Sequence, residues 1–69
     1  MNERFIIRIG PQHAPAAGAY VRDVRGRSAH LGPREHAQDY PLGHARALAA
    51  ALMPWAIIAL GADVVVESK

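Results

Sequence analysis

Apolar and polar residues alternate with period two at the start of this chain. Phe5, Ile7 and Ile9 fall on one face, and Arg4, Ile6 and Arg8 on the other. That alternation, rich in β-branched residues, predicts a half-buried strand, and Gly10-Pro11 ends it. Pro11–Gly18 holds two prolines and a glycine and predicts a loop, which carries His13. Ala19–Leu31 predicts a hairpin with arms Ala19–Arg22 and Arg27–Leu31 and a turn over Asp23–Gly26. Its parity turns Val21, Ala29 and Leu31 inward and Tyr20, Arg22, Ser28 and His30 outward.

The period then changes. Gly32–Asp39 predicts an irregular connector with a helical turn in Pro33–Ala37, and Tyr40, before a proline, should be extended. A helix begins around Pro41, where a missing N–H costs nothing. Leu42, Ala45, Leu48, Ala49 and Leu52 form one stripe at helical spacing. Pro54 then removes a helical hydrogen bond, so the helix either kinks and runs on or breaks near Leu52. Trp55, Ile57, Ile58 and Leu60 point away from the first stripe, and Gly61 suits a C-terminal cap. The run of valines in Asp63–Ser68 predicts a final strand.

The predicted fold class is α+β. A small three-stranded meander is followed by a helix kinked or broken at Pro54 and then a fourth strand. The predicted sheet order is fourth, first, second, third, with the last strand parallel to the first through a right-handed crossover. The helix covers one face of the sheet and the other is open.

With 69 residues the chain is a single domain, residues 1–69. So short a chain buries only about 60% of its unfolded surface, which favours an outer binding surface over a deep active site. The absence of cysteine excludes disulfides and thiolate metal sites. It fits a cytoplasmic protein, and MNERFIIRIG does not read as a signal peptide. The longest uncharged run, Ala47–Ala62, has 16 residues. That is below the roughly 20 of a bilayer span, so membrane insertion is not expected.

The net charge is +2, with Arg far exceeding Lys. Arginine suits phosphate and carboxylate partners, although the joint Arg and Ala bias is also what a GC-rich coding sequence produces. The open face collects Arg4, Arg8, Tyr20, Arg22 and His30, and the hairpin adds Arg25 and Arg27. This set is the candidate partner-binding surface, for protein first and for single-stranded nucleic acid as the alternative. The bland reading is a solvated face, with Arg8 and Arg4 paired to Glu67 and Asp63. Met53, Trp55 and Ile58 are the candidate oligomer interface, because a segment apolar on every side must bury more than one side. A homodimer is expected from it.

His13, His30, His36 and His44 match no metal-ligand spacing, so neither a metal nor any other cofactor is expected. No carboxylate pair sits in an apolar setting, Ser28 and Ser68 are the only serines, and there is no phosphate-binding glycine loop. The chain is therefore not expected to be an enzyme.

The order of a short meander, AQDYPLGHARALAAAL and GADVVVES resembles small strand-meander–helix–strand proteins of phages and mobile elements. In these an aromatic precedes a helix with an A-x-x-x-A rhythm, here Tyr40 with Ala45 and Ala49. Some anti-CRISPR inhibitors are similar in size and layout. The resemblance implies a phage or mobile-element inhibitor or accessory factor that binds protein. It is architectural and carries over no functional residue. The basic charge speaks against the acidic DNA-mimic mode.

Overall fold

The computed structural model describes residues 3–10 and 20–69. The predicted loop over residues 11–18, with His13, lies outside them. Four strands, β1 (Phe5–Ile9), β2 (Tyr20–Arg25), β3 (Ser28–Gly32) and β4 (Val64–Ser68), form one sheet in the order β3-β2-β1-β4. A short 3₁₀ turn at Arg34–His36 interrupts the connector after β3. The helix α1 (Leu42–Trp55) continues into a wider π-helical segment, Ala56–Leu60, before β4. The fold is α+β, and the strand order is the one expected.

The direction of β4 is not. All three strand pairings are antiparallel, including β1 with β4, where Ile9 faces Val64 and Phe5 faces Ser68. The cause lies upstream. Tyr40 bonds in both directions to Phe5, N to O at 2.8 Å each way, so the connector reaches the start of β1 before the helix begins. The helix then delivers the chain to the Ile9 end. A strand starting there beside β1 must run back towards Phe5.

The hairpin turn also shifts. Asp23, Val24 and Arg25 belong to β2, and Gly26-Arg27 is a two-residue turn closed by the Arg25–Ser28 pair. Gly26 has φ +63° while Arg27 does not have positive φ, the combination of a type II′ turn. A register shift between Val21 and Asp23 leaves Arg22 as the extra residue of a β-bulge. That bulge turns both Val21 and Val24 to the core.

The core cluster comprises Ile7, Ile9, Val21, Ala29, Ala49, Leu52, Ala56 and Val64. Helix α1 contributes Ala45, Ala49 and Leu52 to the buried side, and Ala56 continues that stripe. Alanines let the helix approach the sheet closely, and Leu52 fills the remaining depth. Leu42, expected in this stripe, is 37% exposed.

Pro54 neither breaks nor stops the helix. The Ala56 N–H bonds back to the Leu52 and Met53 carbonyls, and the turn then widens. Such π turns are a recognised way of absorbing an irregularity within a helix. Gly61, at φ +62°, ends it, with Ala62 N bonded to Ala56 O at 3.2 Å.

Leu52 and Gly26 test this account. Leu52→Ala should cost about 2–5 kcal/mol in urea unfolding, because it empties a fully buried site in a small core. Gly26→Ala should cost roughly 1 kcal/mol, because a Cβ disfavours its left-handed φ.

Candidate functional site

The sheet face away from the helix core was the expected binding surface. It is closed along β1. Ile6 is only 1% exposed although it lies on the strand face opposite Ile7, so β1 is buried on both faces. The connector is tied across this region. Gln38 N bonds Val21 O at 3.0 Å, and Arg34 Nη2 bonds Ser68 O at 3.3 Å. The expectation of an open sheet face is corrected accordingly.

The arginines of that face are mostly engaged. Arg8 is ion-paired with Glu67, and its Nε donates to Gly10 O at 3.1 Å. Tyr20 donates its hydroxyl to the same Glu67 at 3.3 Å. This cluster is half-buried, with the Arg8 side chain 11% exposed.

Arg4 pairs at 3.0 Å with Asp39, not with the Asp63 suggested by sequence order, and its guanidinium also donates to the Asp39 carbonyl. Lys69 Nζ reaches the other Asp39 oxygen at 2.6 Å. The bond from Lys69, and then that from Arg4, lower the Asp39 pKa from its ordinary value. Asp39 draws the connector, the residue before β1 and the residue after β4 around one carboxylate, a role with no signal in local sequence. Beside it, burial and then the charges of Asp23 and Asp39 raise the Tyr40 pKa.

Four predicted site residues lie elsewhere. Arg25 is exposed and paired with Asp23 at 2.8 Å. His30 is exposed and faces Asp23 across the β2–β3 ladder. The stem of exposed Arg22 lies over Gly32, so close that a Cβ there would sit 2.2 Å from Arg22 Cδ. Arg27 departs furthest from expectation. It sits at the hairpin turn against the helix, lining a groove of about 380 Å³ with Ala50, Ala51, Pro54, Trp55 and Ile58.

The candidate oligomer interface divides in a similar way. Met53 and Trp55 are half-buried and pack on the core, so they are not simply outward-facing. Ile58 is 86% exposed, and Ile57 and Leu60 are about half exposed. Helix length explains this. The helical run Leu42–Leu60 has 19 residues, about 28 Å, whereas a five-residue strand spans about 17 Å. Its end therefore carries exposed apolar side chains, of which Ile58 lines the groove. By length and composition this run is apolar enough to cross a membrane, and 22% of its apolar window is buried.

Among the described residues, no three His, Asp or Glu side chains come together as a metal-binding group. No buried side-chain nitrogen or oxygen among them lacks a hydrogen-bond partner. The polar groups of the sheet thus hold the fold together, and the unsatisfied surface is the apolar one on the helix.

Two substitutions probe the polar clusters. Glu67→Gln should destabilise the fold by about 1–2 kcal/mol in urea unfolding, because it leaves the half-buried Arg8 without its counter-charge. Asp39 has a lowered pKa in the folded state, so its stabilisation is complete above the ordinary carboxylate value and is lost as pH falls through the folded value. Thermal melts from pH 7 to pH 2 should show an acid-side loss of stability that is smaller in Asp39→Asn. No protein-family model, curated protein or solved structure matches this chain.

Proposed function

We propose that this chain is a non-enzymatic protein-binding module that docks its partner on the outer side of the helix around Trp55–Leu60. The observation that carries this reading is the exposure of Ile57, Ile58 and Leu60 at the helix end, with Ile58 lining the groove. Several large apolar side chains exposed at one end of a helix on a small domain are a common mark of an interaction site. A role as an inhibitor or accessory factor fits a domain that acts by covering a partner's surface.

The arginine-rich sheet supports the nucleic-acid alternative less well. Phosphate binding needs cationic groups free to release counterions, and base stacking needs an accessible ring. Arg4, Arg8 and Arg25 already have carboxylate partners, and Tyr20 bonds Glu67. Of the predicted binding residues, Arg22, Arg27 and His30 have no ion-pair partner among the described residues, and Arg27 lies at the apolar groove, away from the sheet face.

Affinity capture from an extract of the native host, with and without nuclease, tests the choice. Ile58→Glu should reduce capture of the specific protein partner by roughly tenfold or more, as expected for an apolar anchor at an interface. Arg22→Glu should leave capture largely intact, and nuclease should have no effect. Equal capture by Ile58→Glu, or capture abolished by nuclease and falling steeply with salt, overturns the reading.

A further inference from the structure

We propose that the groove between the β2–β3 turn and the helix receives a peptide segment with one large apolar side chain and a neighbouring Asp or Glu. This inference rests on the protein-binding reading above and names the chemistry of the partner.

The shape calls for an apolar anchor. Ala50 and Ala51 present only methyl groups, while Pro54, Trp55 and Ile58 supply larger apolar walls. Small residues flanked by large ones leave a space that a leucine-sized or aromatic side chain fills.

The charge calls for an acid. Among the described residues, Arg27 is the only charged one lining the groove, and it has no carboxylate partner there. Asp23, the acid of the same hairpin, is held by Arg25 at 2.8 Å. No Asp or Glu occurs between Asp39 and Asp63, so the whole helix is free of acids. Its outer side also bears Arg46, exposed one turn before Ala50. An acidic residue entering here meets positive charge and no competing carboxylate.

The same charge argument separates this occupant from the others. A second copy of the chain would bring Arg27 and Arg46 against the same basic residues, with no acid on the helix to answer them. An anionic bilayer is recognised by clusters of about 4–8 basic residues on a flat or convex surface. This side offers two arginines and a concave groove. An acidic peptide segment matches both the cavity and the charge.

Selection from a random peptide library displayed on phage tests the proposal, with the full chain immobilised. Arg27→Glu and Ile58→Glu are run in parallel. The enriched peptides should share an aliphatic or aromatic anchor with Asp or Glu within about one helical turn. A synthetic peptide of that sequence should bind roughly tenfold or more weakly to Arg27→Glu, with much of the loss restored by Arg27→Lys. Peptides that require Ile58 but carry no acid and ignore Arg27→Glu overturn this inference and leave the protein-binding reading standing. No enrichment at all overturns both. So does a chain that binds phosphatidylglycerol vesicles and no peptide, or that sediments as a dimer with Trp55 fluorescence shielded.

Discussion

The double burial of β1 is the constraint on which the rest of the structure depends. Ile7 and Ile9 face the helix and Ile6 faces the other way, and all three are almost without solvent contact. A strand buried on both faces needs partners on both edges, because unpaired backbone groups cannot reach water there. β4 satisfies one edge along its length. The other edge is shared, with β2 at Arg8 and Tyr40 at Phe5. The chain therefore has to bring residues near position 40 back to position 5 before the helix can start. That one requirement sets the path of the connector, the direction of the helix and the antiparallel return of β4.

The electrostatics follow from the same arrangement. Closing the connector over β1 gathers Arg4, Asp39 and Lys69, and pairing β4 with β1 gathers Arg8, Tyr20 and Glu67. These cations are taken up in ion pairs, with Arg8 largely buried and Arg4 and Lys69 still partly in solvent. What stays outside is a helix longer than the strands it covers. Its first half buries one stripe, and its second half passes Pro54 with apolar side chains in directions the sheet cannot reach. Polar satisfaction of the sheet and exposure of the helix end are two results of one topology, and they move the binding surface from the arginines to the groove.

The strands and the helix were legible because each carries its own period. Phe5–Ile9 alternates, Ala45, Ala49 and Leu52 repeat at helical spacing, and the valines of β4 favour extension. The strand order also followed from the meander and the crossover through the helix. The bulge at Arg22 was not legible, because one extra residue shifts parity without any compositional mark, and so Val24 was placed in the turn. The pairing of Arg4 with Asp39 was hidden for another reason. The two residues meet only through the connector's path, which no local pattern records. Arg27 looked like one more arginine of the hairpin until a two-residue turn set it beside Pro54.

The sequence by itself determined the element types, the single small domain and the presence of an apolar segment too large for its sheet. These rest on side-chain periodicity and chain length, which act locally. Only the tertiary structure decided that β4 runs antiparallel, that the helix passes Pro54 by widening rather than breaking, and which arginines remain without partners. The physical reason is that hydrogen-bond and ion-pair satisfaction is a property of what meets across the fold. Residues 35 or more apart in sequence, such as Arg4 with Asp39 and Arg8 with Glu67, settle that account, and no window of the chain contains both.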